Sequence, residues 1–274
     1  VWQNIAADCE IDFCLATVDP NGASTTGITR TSTSQTSFSI SSDNVKSSSG
    51  GGVDPWPQDD YLNIWVCDLG GGLLGYATPP SNWTNPDDGV VIGYRYFGTT
   101  GVVQAPYNKG RTATHEVGHW LNLDHIWGDN NCGNDQCNDT PVQQSSNYGC
   151  PSFPSTSNCT GNGSNGDMYM NYMDYTNDAC MNLFTNDQKS RMISAINQYR
   201  PELLNHNLCS GSTNPVSWDC IGGGCVDPGT GNGSYSSYNA CYAVCECSGS
   251  IYQLSEGFQS SSLPNGWSVD NSDG

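Results

Sequence analysis

Positive charge is scarce in this chain. Three Lys and five Arg stand among 274 residues, against 22 Asp and five Glu, and the formal net charge is −19 at pH 7. A nucleic-acid partner is excluded on that ground, because binding a phosphate backbone needs a basic footprint that is missing here. Long apolar runs are missing too. None approaches the roughly 18 residues needed to cross a bilayer, so no membrane span is expected. The first residues, Val1 to Asn4, show neither a basic start nor an apolar signal core. Any signal peptide or pro-segment is therefore expected to have been removed or never included. Glutamate is rare beside aspartate, and Asp favours turns and metal loops where Glu favours helices. That bias suits a loop-rich protein holding calcium, beyond the solubility that net charge gives any secreted chain. Such a surface also attracts basic peptides.

Cysteine, by contrast, is plentiful. Fourteen cysteines, an even number, fall mostly in loops rich in Gly, Asn and Ser, and almost none has zinc-ribbon spacing near a histidine. The pattern reads as disulfides formed in an oxidising compartment, so the protein is expected to be secreted. Cys245-Glu246-Cys247 and the pair Cys220 and Cys225 have metal-binding chemistry, but the extracellular setting favours cross-links there. The length accommodates one domain of about 200 residues and something smaller. From Cys209 onward six cysteines occur within 39 residues. Residues 1–209 thus read as the main domain, 210–250 as a disulfide-stapled segment, and 251–274 as the start of a truncated β-rich module.

Along the chain, residues 11–16 read as a strand followed by a turn at 19–22, and residues 31–52 as a loop or weak strand. The apolar run 61–67, ended by three glycines, predicts a buried strand, and 90–97 predicts another. A helix is expected from 110–112 to about Leu121, with Val117, Trp120 and Leu121 facing inward. Residues 128–167 show no periodicity and, at that length, are normally functional or held by cross-links and ions. Thr185 and Gln188 fit a capping box for a second helix running to about Tyr199 and stopping before Pro201.

Histidine is as rare as glutamate, yet three of the four histidines lie in the run His115-Glu116-Val117-Gly118-His119-Trp120-Leu121-Asn122-Leu123-Asp124-His125. On a helix, His115 and His119 project from one face a turn apart and can share a zinc ion, with Glu116 beside the open coordination position. Asn122 stands where a chain leaving a helix often turns left-handed, which lets His125 reach back as third ligand. Three neutral imidazoles leave zinc a fourth position for water, whose pKa falls towards roughly 7. Glu116 can then take the proton as general base and return it to the leaving amine.

These residues carry a family resemblance. The extended histidine pattern resembles the metzincin metallopeptidases, and with Leu73-Leu74-Gly75-Tyr76-Ala77, the following His125-Ile126-Trp127-Gly128-Asp129, and Asn171-Tyr172-Met173-Asp174-Tyr175, it resembles the pappalysin family over about residues 5–205. The one departure noted is Asn122 in place of the metzincin glycine, a substitution that Asn tolerates. The resemblance implies an α+β catalytic domain: a twisted, mostly parallel sheet with an active-site helix, an irregular lower subdomain with a C-terminal helix, then the Cys-rich appendage. It also implies roles. Met173 would form the methionine turn beneath the metal, and Tyr175 would stabilise the oxyanion. Asp178 would floor the S1′ pocket and favour cleavage before Arg or Lys. A structural calcium would bind Asp135, Asp139 and Thr140, and disulfides would join Cys132 to Cys159 and Cys150 to Cys180. Cys137 adds to that pattern without a partner. The reading is a secreted, monomeric zinc endopeptidase acting on peptides or proteins. Its rivals are a metzincin with another pocket, and a non-catalytic zinc-binding or adhesion protein, which would need no base at Glu116.

Overall fold

The computed structural model describes residues 1–81, 85, 87–205, 208–209, 217–221, 224–226, 233–235 and 238–245. Its organising element is an all-apolar strand, β3 (Val90–Gly93), in which Val90, Val91 and Ile92 are fully buried. Alternation along β3 separates two cores. Val90 and Ile92 join Trp120, Leu121, Met173 and Phe184 on one face, and Val91 joins Trp65, Tyr76, Phe38 and Val45 on the other. Two strands flank it: β1 (Ile64–Cys67) pairs parallel and β2 (Gly75–Ala77) antiparallel, giving the order β1-β3-β2. The sheet among the described residues is therefore mixed, and the expectation of a mostly parallel sheet holds for one of its two pairings.

Helix α1 (Arg111–Trp120) packs on β2 and β3. That placement corrects the reading of 61–67 as a fully buried strand. Ile64 and Val66 are exposed because α1 leaves their face of the edge strand uncovered, and only Trp65 within β1 is buried. In the second predicted strand, pairing stops at Gly93 and the chain tightens into a 3-10 turn, Tyr94–Tyr96. Residues 11–16 form no strand. Among the described residues no strand pairs with them, Phe13 stays exposed, and the segment is held by the Cys14–Cys209 disulfide and the Thr17 to Leu208 hydrogen bond.

Helix α2 (Asn186–Tyr199) begins with both bonds of its capping box, Gln188 N–H to Thr185 Oγ1 and Thr185 N–H to Gln188 Oε1. Between α1 and α2 lies a long irregular segment. Buried Asp174 organises it, accepting from Gln143 Nε2, both nitrogens of Asn147 and the Tyr175 N–H, while Asp167 accepts from Ser157 and Asn162. The Cys132–Cys159 and Cys150–Cys180 disulfides close it further. Beyond residue 209, strands β4 (Asp219–Ile221) and β5 (Gly224–Val226) form a hairpin beside helix α3 (Tyr238–Cys245), bridged by Cys220–Cys245 and Cys225–Cys241. The β-rich module read at 251–274 lies outside the described residues. Cys9, Cys67 and Cys137 are free thiols, so the even cysteine count does not translate into complete pairing.

Candidate active site

Helix α1 ends in a Schellman turn. Leu123 N–H reaches back to the Gly118 carbonyl and Asn122 N–H to the His119 carbonyl, each at 2.9 Å, with Asn122 at φ 73°. The reversal sends residues 123–125 back along the helix. Arg191 of α2 secures it, its Nε donating to the Asn122 carbonyl and its guanidinium pairing with Asp124 at 3.0 Å. His125 is thereby brought to the histidines of α1.

The three imidazoles converge. His119 Nε2 lies 3.1 Å from His115 Nε2 and 3.1 Å from His125 Nε2. Each Nδ1 meets an oxygen that can only accept: the Tyr172 carbonyl at 2.7 Å, the Leu123 carbonyl at 2.7 Å and Asp129 Oδ1 at 2.6 Å. The proton must therefore sit on Nδ1, leaving three Nε2 lone pairs aimed at one point. Burial, reinforced by the neighbouring imidazoles, holds His115 well below the usual histidine range and lowers His119 to about 4. A tetrahedral zinc with bonds of about 2.0–2.1 Å would separate its ligands by about 3.3–3.4 Å, so the donor set fits that ion. Among the described residues, these three histidines and a group of tail cysteines (Cys225, Cys241 and Cys245, all in disulfides) are the clusters with metal-ligand spacing.

Glu116 is 7% exposed, and burial pushes its carboxyl up to about 8. The absence of a side chain at Gly75 makes room for it. A Cβ there would lie 2.8 Å from Glu116 Cγ and 2.9 Å from the Val91 carbonyl oxygen. Tyr175 Oη stands 2.8 Å from His125 Nε2, and burial together with the Glu116 charge raises its phenol to about 12, so it remains a donor at neutral pH. Trp127 stacks on the His125 ring at 4.3 Å. Met173 is fully buried beneath α1, where Gly118 admits it: a Cβ at 118 would come within 2.5 Å of the Met173 sulfur.

Asp178 is buried at the opposite end of α1. Its Oδ2 accepts the N–H groups of Lys109 at 2.7 Å and Arg111 at 3.2 Å, across a left-handed Gly110. The carboxylate thus ties down the start of the helix that carries the histidines, a role the sequence reading did not contain. The proposed calcium ligands divide into two groups. Asp135 receives the Thr140 hydroxyl on both oxygens, at 2.9 Å, and the Cys137 N–H on one. Asp139 instead accepts the Asp187 N–H at the start of α2, and its Oδ1 is buried without a partner. Gly75 and Asp174 stood in the quoted motifs without a role, and Arg191 was missed; the partners of all three lie far along the chain. Asp129, four residues after His125, was within reach of spacing arguments.

An α+β scaffold that aims three imidazole nitrogens at one point, beside a buried carboxylate and a protonated phenol, defines a metallohydrolase. Comparison narrows the class. Residues 47–197 match the M43 peptidase family described as pregnancy-associated plasma protein-A. Mature mirolysin from Tannerella forsythia, bound to a cleaved peptide, is similar at a TM-score of 0.71 and 55% identity, over 74% of this chain and 77% of that one. Mirolysin in complex with a compound is similar at a TM-score of 0.72 and 53% identity, over 78% and 81%. The extracellular metalloprotease of Uncinocarpus reesii is 42% identical over 145 residues, 51% of this chain and 49% of its own length. The chain therefore spans about half the length of the curated relatives it matches. It belongs to the pappalysin (M43) family of metallopeptidases.

Proposed function

We propose that the chain is a secreted zinc endopeptidase that hydrolyses peptide bonds before Arg or Lys, with Glu116 as general base. One observation carries the reading: three Nε2 lone pairs, each set by an acceptor on Nδ1, converge beside a buried carboxylate. Zinc held by His115, His119 and His125 would supply Lewis acidity and an acidified water at the position these residues leave open. Glu116 takes the proton of the attacking water and returns it to the leaving amine. Its place next to His115 in α1 puts the carboxylate beside the position the water would occupy. The Tyr175 phenol, protonated at working pH, donates to the oxyanion that develops on the carbonyl. Among the described residues β2 is an edge strand of the sheet, on the side of Glu116, so an extended substrate can add there by strand pairing. The extracellular setting is supported by the disulfides and by relatives named extracellular metalloproteases.

The finer features follow. Asp178 offers a buried carboxylate whose second oxygen is not used by the Lys109 and Arg111 N–H groups, and a basic P1′ side chain is its complement. Calcium would be held by Asp135, Asp139 and Thr140, where burial raises Asp135 to about 6 and Asp139 Oδ1 lacks a donor. Residues 1–209 constitute the catalytic domain and 210–250 a stapled appendage.

The test is cleavage-site profiling of the zinc-loaded protein beside Glu116→Ala, with and without a chelator. Cleavage should vanish in the variant while its zinc content stays at one ion per chain, and undiminished cleavage would refute the mechanism. A product set without enrichment of Arg or Lys after the cut would remove the specificity assignment alone.

A further inference from the structure

Tyr148 is 67% exposed, yet the backbone that carries it is pinned on both sides. Before it, Asn147 donates its N–H to Asp174 Oδ1 at 2.7 Å and its side-chain amide to Asp174 Oδ2 at 3.0 Å. After it, the Gly149 carbonyl accepts the Asn177 N–H at 2.9 Å, and Cys150 is bonded to Cys180. Every anchor lies in the 174–180 segment that also carries Tyr175 and Asp178. Exposed apolar side chains scattered singly need no explanation. This one is held where its ring centroid stands 6.0 Å from that of Tyr175, which itself contacts the third histidine.

A second aromatic closes on the same place from another loop. Tyr107 follows Pro106, whose carbonyl accepts the Asp178 N–H at 3.2 Å, and precedes Lys109, whose N–H donates to Asp178 Oδ2. Its ring packs edge-on against Tyr96. Burial, the Asp178 charge and Tyr148 all push the Tyr107 phenol up, as one electrostatic neighbourhood requires. Tyr107, half-buried, thus stands beside the segment that holds Asp178, and Tyr148, in solvent, is anchored to that same segment.

We propose that Tyr148 is a substrate-binding residue whose ring receives the basic side chain following the scissile bond while Asp178 takes its charge. This rests on the peptidase reading and deepens its specificity. A guanidinium or ammonium group is drawn to an aromatic face, its methylene stem covers apolar ring surface, and a tyrosine already fixed by its neighbours loses little freedom on binding. The net charge of −19 favours the same class of side chain.

The experiment uses the zinc-loaded chain and two peptides that differ only in the residue after the cut, Arg or Ala, with kcat and KM measured for wild type, Tyr148→Ala and Tyr148→Phe. The wild type should prefer the Arg peptide. In Tyr148→Ala the Arg-over-Ala ratio of kcat/KM should fall about tenfold, through KM, and Tyr148→Phe should restore it because the ring face is retained. If the wild type discriminates and Tyr148→Ala discriminates equally well, the inference fails and the peptidase reading stands. Losses equal for both peptides would mark a structural residue and overturn it likewise. A wild type without preference would sink the Asp178 assignment and this inference together.

Discussion

At Glu116 and His119 burial acts in opposite directions, and the metal-free protein should register both. Glu116, raised to about 8, holds a proton in the folded state that the unfolded chain releases above about 4.5, so its contribution to stability is lost as pH rises through that window. His119, lowered to about 4, stays neutral when folded, so its contribution is lost as pH falls from about 6.5. In chelator-treated protein, Glu116→Gln should therefore be more stable than wild type at pH 8, by up to about 4 kcal/mol, and show no such gain at pH 4. Denaturant titrations at the two pH values measure this, and an equal effect at both would contradict the assignment. Gly75→Ala should lower kcat roughly ten- to a hundredfold at full zinc occupancy, because its Cβ displaces the Glu116 carboxylate. Asp129→Ala should weaken zinc binding on the order of ten- to a hundredfold, as measured by competition with a chromophoric chelator. His115, Glu116 and His119 were legible because one helical turn sets their geometry. Gly75 was not, since its value depends on a strand meeting α1 across the fold.

Helix α1 is defined at both ends by groups that are not helical. At its end, Asn122 takes the left-handed conformation that the sequence reading expected from Asn in a glycine's place. Asn122→Gly should be nearly neutral, whereas Asn122→Ala should cost about 1 kcal/mol in thermal or denaturant unfolding and weaken zinc binding through His125. At its start, Asp178 comes from a segment 67 residues away, so no local signal announced it. The capping box of α2, local to four residues, was read correctly. Thr185→Ala should cost about 1 kcal/mol in stability at unchanged kcat, because it removes the acceptor of the Gln188 N–H while Arg191, which secures the turn before His125, is untouched. The misread strand at 11–16 shows the other side of the same rule. Alternation says which face is apolar but not whether another strand lies alongside to accept its hydrogen bonds.

Over the whole molecule, cross-links and buried polar networks do for the irregular half what the sheet does for the other. Cys14–Cys209 closes 195 residues, and removing it by paired serine substitutions should lower stability by about 5 kcal/mol in chain-entropy terms, read from denaturant midpoints. Composition established the broad class: few basic residues, many cysteines and no long apolar run left an acidic, disulfide-rich protein. The sequence by itself also placed the proposed ligands and base, because they fall within eleven consecutive residues whose spacing a helix and one left-handed turn convert directly into geometry. Only the tertiary structure decided what surrounds them. Gly75 against Glu116, Asp178 on the N–H groups at the start of α1, Arg191 of α2 on the turn after α1 and the anchored backbone around Tyr148 all arise where distant loops and elements meet. Contacts of that kind follow no local period, since burial and long-range hydrogen bonding set them, and those exist only once the chain has closed on itself.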